Sequence, residues 1–312
     1  MDTTFEHKSV LLDEVISILA PHKDGVYCDG TLGGGGHAEK ILEASAPSGR
    51  LIGIDQDLDA IAAAKKRLEK FGGRAQIFHG RFSQLAELLK RAGVSQLDGL
   101  LLDLGVSSHQ LDEATRGFSF MNAGPIDMRM DTSDGETALE LLNRLSEDEL
   151  ADIIFRFGEE RMARQVARSI KRMETEGTLQ TTQDLAVAVK RVVGHKRPGK
   201  SDPATKTFQA IRIAVNDEMK ELESVLQMLP EPLAVGGAVA IITFHSLEDR
   251  MVKQRFDELV KPCKCPPGMP VCTCPKPYAE YTTRRSVRVS NQETELNRRA
   301  RSARVRAIRR VR

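Results

Sequence analysis

The 312-residue chain has no apolar run of membrane-spanning length, and its N-terminus, MDTTFEHKSV, lacks the basic stretch followed by an apolar one that marks a leader. Membrane and secreted classes are set aside, and a cytoplasmic location is expected. Cysteine is scarce, with five in all and four of them crowded between 263 and 274. That leaves no distributed disulfide framework. Net charge is nearly absent too, at +2, but the balance hides an asymmetry. Residues 284–312 hold eleven Arg against Glu293 and Glu295, a local +9 that leaves −7 for the rest. One end of the chain suits a polyanion. A hydrophobic content of 40% supports a real core, in one large domain or two smaller ones.

The richest stretch is VYCDGTLGGGGHA at 26–38, where a short apolar run ends on Asp29 and opens into four glycines, Gly33 to Gly36. Glycine is costly in ordered backbone, so four together signal a sharp bend or a ligand that comes too close for a Cβ. The helical pattern that follows would turn its free N–H groups toward that bend. LIGIDQD at 51–57 reads as the second strand of a nucleoside-binding βαβ unit, with Asp55 placed for two ribose hydroxyls. Gly33-x-Gly35-x-x-Ala38 also satisfies the dinucleotide fingerprint, so a nicotinamide- or flavin-dependent oxidoreductase competes with an S-adenosylmethionine site, which the acidic Asp29 suggests.

Strands are predicted at 26–29, 51–55, 75–79, 97–104 and 238–244, the first four alternating with helices at 37–45, 58–70 and 83–92. Such alternation implies a parallel, doubly wound α/β sheet. Leu58, Ile61, Ala62, Lys65 and Leu68 would form the inner stripe of the second helix, and Ser83 would cap the third, which Gly93 ends. From about 112 to 215 the pattern is nearly all helical, with Ser146 and Glu149 as a capping-box pair. The boundaries expected are 1–112 and 216–312 for one interrupted α/β domain and 113–215 for a helical, substrate-recognising insertion. Its exit loop, KRPGKSDPA at 196–204, is a candidate substrate contact.

LDGLLLDLGVSSHQLD at 97–112 is an apolar strand whose carboxyl end delivers Asp103, Ser107, Ser108, His109 and Gln110. In open α/β sheets that edge is the ligand crevice, and an acid there can hold an amine against a transferable methyl. At this point the chain resembles the small-subunit rRNA (cytidine-N4-)-methyltransferase family, also called RsmH or MraW. The matching blocks are HKSVLLDEV at 7–15, DGTLGGGGHA at 29–38, DLGVSSHQLD at 103–112, RGFSF at 116–120, GPIDMRM at 124–130, DPATKTFQAIRIAVNDE at 202–218 and FHSLEDRMVK at 244–253.

The resemblance implies a Rossmann-like class I S-adenosylmethionine-dependent methyltransferase that modifies a decoding-region cytidine of 16S rRNA. It implies Gly35, Gly36 and His37 at the methionine end of the cofactor, Asp55 on the ribose and Phe82 on the adenine. Asp103 and Gln110 would lie near the methyl. In the tail, Arg298 of NRRARSA replaces the family's proline.

A cytosine amine is a poor nucleophile, so positioning should carry most of the rate, with Asp103 accepting one N4–H bond. The D-P-P-Y signature of many DNA amino-methyltransferases is missing, so another group must hold the base. Phe244, His245, Phe118 and Phe120 are candidates, with His245 and Ser246 favoured by their place after the fifth strand. A catalytically inactive RNA-binding assembly factor is the alternative outside enzymology. The RNA partner would be 16S rRNA or the small ribosomal subunit, and the oligomeric state, a homodimer included, stays open. Cys263, Cys265, Cys272 and Cys274 form C-x-C-x6-C-x-C, which leaves structural zinc and reduced, unliganded thiols as alternatives. The tail's excess of Arg over Lys favours phosphate binding over its alternative, a solvated charged helix, and the amphipathic spacing of Val305, Ile308 and Val311 leaves open that the segment packs into the fold. Deleting 298–312 is expected to weaken RNA binding and to leave cofactor affinity nearly intact.

Overall fold

The computed structural model describes residues 9–195, 202–265, 273–283 and 285–312, apart from the side chains of Leu296 and Arg298. In chain order the first part holds α1 (Leu12–Leu19), β1 (Val26–Asp29), α2 (Gly36–Ala44), β2 (Arg50–Asp55), α3 (Leu58–Leu68), β3 (Ala75–His79), α4 (Leu85–Arg91) and β4 (Leu97–Asp103). Six helices follow: α5 (Ser108–Asp112), α6 (Ala138–Arg144), α7 (Glu147–Gly158), α8 (Ala163–Thr175), α9 (Thr182–Val193) and α10 (Thr205–Val215). The last part runs α11 (Glu218–Met228), β5 (Leu233–Thr243), α12 (Ser246–Val260), β6 (Ala279–Tyr281), β7 (Val287–Arg288), α13 (Asn291–Leu296) and β8 (Arg304–Arg310). Two compact units result, one of 1–105 with 220–312 and one of 106–219.

The first unit is built on a sheet in the order β3-β2-β1-β4-β5-β8-β6, with β7 also on β8. The five strands from β3 to β5 are parallel, as a strand-helix alternation demands, whereas β8 is antiparallel to β5. Each parallel strand alternates two apolar faces. Cys28, Ile52, Ile54, Leu100 and Leu102 meet α4, α11 and α12 on one side. Tyr27, Leu51 and Leu101 meet α1, α2 and α3 on the other. Burial on both faces explains why these strands read as nearly continuous hydrophobic runs. In the second unit, α6 to α10 close on a separate core that includes Leu142, Leu150, Ile154, Val166, Ile170, Leu185 and Phe208. The Ser146–Glu149 capping box forms at the start of α7.

Several local expectations are corrected. The inner stripe of α3 is Ile61, Ala64 and Leu68, which leaves Leu58 47% exposed. Residues 82–84 make a 3-10 turn before α4, so Gln84, and not Ser83, sits at the cap position. The largest correction concerns the tail, where 304–310 is a strand and not a helix. Val305 and Ala307 face one core and Ile308 the other, a period of two that a three-residue spacing disguised. Arg298 occupies its turn without the family's proline because Asn297 caps the turn, its side-chain oxygen accepting from Arg299 N at 3.1 Å.

Candidate active site

Three parallel strands end on aspartate at the same edge of the sheet. Register places Asp29 opposite Gly53 of β2 and Leu101 of β4, so Asp55 and Asp103 each extend two residues further along the strands on either side of it. The chain leaving β1 is stitched to both neighbours. Leu32 N donates to Ile54 O at 3.0 Å and Gly33 N to Asp55 Oδ2 at 2.7 Å. On the other side, Asp103 N donates to Thr31 Oγ1 at 2.6 Å. Gly35 then starts α2 at φ +79°, a left-handed conformation that glycine adopts without a Cβ penalty. At Gly36 a Cβ would collide with the Ser9 hydroxyl, which explains a second glycine there.

Burial dominates the electrostatics of this edge. Asp29 is pushed up to about 7 by burial, against the hydrogen bond from Thr31 N, with Asp55 raising it further. Asp103 is raised well above the usual carboxylate range by burial, then by Asp29 and Glu248. Asp55 is also raised by burial, although Asp57 N and Gly33 N donate to its two oxygens. The neighbouring imidazole supplies no positive charge. Burial lowers His37 to about 4, against the pull of its 3.0 Å hydrogen bond to Val10 O. Since its Nε2 donates there, its Nδ1 is an acceptor, 3.8 Å from Asp103 Oδ2. Asp103 Oδ1 is buried and meets no donor among the described residues.

A buried carboxyl cluster with an unfilled acceptor is expensive unless a cationic ligand completes it. S-adenosylmethionine carries a sulfonium and an ammonium, so the donor set fits that cofactor. A nicotinamide dinucleotide brings a pyrophosphate, which these acids would repel. The sheet agrees, because the dinucleotide-binding order 3-2-1-4-5-6 is parallel, whereas β8 here runs antiparallel to β5.

The remaining sequence candidates fall in several places. Phe82 opens the 3-10 turn after β3 and lies against the backbone of Gly30, where a Cβ would stand 3.3 Å from Phe82 Cβ. His245 caps α12, with Nδ1 accepting from Glu248 N at 3.4 Å and Nε2 lying 3.0 Å from Glu248 Oε1. Glu248 in turn accepts from Phe244 N and His245 N. This mutual cap fixes the start of α12, a role visible in the spacing H-S-L-E that sequence reasoning passed over. Gln110 sits in the second unit, where Ser107 and Gln110 form a capping box at α5. Phe118 is buried in that unit's helical core, and Phe120 packs edge-on against Phe208 with ring centroids 4.8 Å apart. Phe118 is thus enclosed, whereas Phe120 is half-buried. Cys263, Cys265 and Cys274 converge, while Cys272 and most of the 196–204 loop lie outside the described residues.

Fold and site together define a Rossmann-like class I S-adenosylmethionine-dependent methyltransferase with an inserted all-helical unit. The model of the MraW methylase family matches residues 4–311. The chain belongs to that family. Among its relatives, "Ribosomal RNA small subunit methyltransferase H" of Geobacter sp. (strain M21) is 49% identical over 309 residues, covering 98% of this chain and 99% of its own. The proteins of the same name from Trichlorobacter lovleyi and Sorangium cellulosum are each 51% identical, covering 97% and 98% of this chain and 97% and 91% of their own.

Proposed function

We infer that the protein methylates the exocyclic N4 amine of a cytidine in the decoding region of 16S rRNA, acting in the cytoplasm on the rRNA or the small subunit. The observation that carries this reading is Asp103, a half-buried carboxyl whose buried Oδ1 meets no donor among the described residues, at the end of β4 beside the glycine turn. Full-length similarity to small-subunit rRNA methyltransferases supplies the substrate class. When bound, S-adenosylmethionine supplies an electrophilic methyl on a cationic sulfur.

Gly35, Gly36 and His37 hold the methionine end, and Asp55 receives the ribose through the acceptor capacity left after Gly33 N and Asp57 N. Phe82 packs on the adenine. Asp103 accepts an N4–H hydrogen bond at Oδ1, which draws the nitrogen lone pair out of conjugation with the ring, and holds the released proton. His37 presents neutral Nδ1 to the far side of that carboxyl, and the His245–Glu248 cap fixes the adjoining helix start. Gln110 joins the cofactor residues on sequence resemblance alone. Mass spectrometry of small-subunit rRNA from cells with and without the protein tests the reading. A decoding-region cytidine that loses N4 methylation is expected, and unchanged methylation contradicts it.

A further inference from the structure

We propose that Cys263, Cys265 and Cys274 hold a structural zinc ion at the far end of α12 from the cofactor edge. The three thiol sulfurs lie within 4.8 Å of one another, and Cys265 Sγ to Cys274 Sγ is 3.5 Å. A disulfide needs about 2.05 Å, so that pair is not one. Tetrahedral zinc with Zn–S of about 2.3 Å separates its sulfurs by about 3.8 Å, which matches the cluster. Thiolates are the ligands that favour zinc over hard cations such as magnesium or calcium.

The surrounding chain needs such a staple. Between α12 and β6, none of the described residues 261–265 and 273–278 is buried, so none of these described side chains anchors the segment in a hydrophobic core. Its base is nevertheless pinned. Tyr278 N donates to Leu259 O at 2.9 Å, and Arg312 donates to Pro277 O at 3.1 Å and Lys276 O at 2.7 Å while its guanidinium stacks 4.0 Å from the Tyr278 ring. Three thiolates on a divalent ion leave one negative charge, and Lys261, Lys264 and Lys276 in the same segment offset it. Binding displaces the thiol protons to solvent and changes no oxidation state. Cys272, the remaining thiol of the C-x-C-x6-C-x-C spacing, lies outside the described residues and is not among the three ligands assigned.

Because α12 has 15 residues and spans about 22 Å, the metal would be remote from the cofactor edge. S-adenosylmethionine affinity therefore serves as an independent check that a variant is folded. The experiment uses the full chain purified under reducing conditions without chelator. One zinc per chain is expected by elemental analysis, and cobalt exchange should produce an intense sulfur-to-metal charge-transfer band. Cys265→Ser and Cys274→Ser should each lose metal and band while keeping cofactor affinity. Trypsin gives a second reading on the unaltered chain, since Lys261 and Lys276 precede proline and only the Lys264–Cys265 bond is a good lysine site in the segment. Chelation should open that bond to cleavage, and zinc should close it. A full-length chain that holds no stoichiometric zinc and gives no cobalt–thiolate band would overturn the proposal, leaving reduced thiols only.

Discussion

Two regions of the first unit carry concentrated charge and treat it in opposite ways. At the carboxyl edge of the parallel sheet, buried Asp29 and half-buried Asp55 and Asp103 lie together with no cationic side chain paired to them among the described residues, and their proton affinities rise. On β8 the arginines are matched. Arg306 Nε lies 2.7 Å from Asp249 Oδ1, and Arg304 Nη1 lies 3.3 Å from Asp249 Oδ2. Burial works to raise Asp249, but the hydrogen bonds from Arg306 and the nearby positive charges hold it below its usual range. Arg309 donates to Ile18 O and Gly236 O, and Arg310 to Leu233 O and Glu231 O. Charge that the protein satisfies internally builds the fold, whereas charge left unsatisfied marks where a ligand belongs.

The comparison can be broken most severely by deleting 304–312. That removes the strand hydrogen-bonded along β5 from Ala238 to Thr243 and uncovers two cores. Cooperative thermal unfolding and S-adenosylmethionine binding should both be lost. This reverses the expectation from charge alone that removing the tail spares the cofactor.

Paired substitutions sharpen the contrast. Asp103→Asn should reduce turnover by roughly ten-fold or more while leaving the melting temperature unchanged or raised, because it removes an unmatched buried acid. Asp249→Asn should do the reverse, costing about 1–3 kcal/mol of stability by stranding Arg304 and Arg306. Cofactor affinity of the folded Asp249→Asn protein should be nearly normal. Asp55→Ala should weaken cofactor binding several-fold, read by calorimetry, because it releases Gly33 N and removes the acceptor proposed for the ribose. The smallest effect should come from exposed Arg285, Arg288 and Arg301, outside β8. Changing all three to Gln should flatten the salt slope of RNA binding by about one for each phosphate that is no longer neutralised.

The β1–α2 part of the aspartate edge was legible in sequence because one short segment encodes it: an apolar strand, an acid, a turn of glycines and a helix. Local chemistry fixed Asp29, Asp55 and Asp103 at strand ends without knowledge of distant residues. The tail was misread because its structure depends on partners far along the chain. Val305 and Ile308 fit a helical stripe, and only β5, some 65 residues earlier, turns them into opposite faces of a strand. His245 was legible as a residue that follows β5 at the same edge, and its cap on Glu248, three residues on, is local enough that the H-S-L-E spacing carried it too. Phe118 could be offered to a base only while the helical core that buries it was unknown, and half-buried Phe120 packs at the edge of that core.

The acid cluster itself is tested most directly by proton release on cofactor binding. Asp29, raised from 3.8 to about 7, keeps protons in the folded protein that the unfolded chain has already lost. Stability of the ligand-free protein should therefore fall as pH rises from about 4 to about 7. A cationic ligand favours the deprotonated acids, so its affinity should rise with pH over the same window. Calorimetric titration in buffers of different ionisation enthalpy counts the protons. S-adenosylmethionine should expel them near pH 7, and S-adenosylhomocysteine, whose sulfur is neutral, should expel fewer. Equal, pH-independent binding of the two with no proton release would contradict a site built from unmatched carboxyls around a sulfonium.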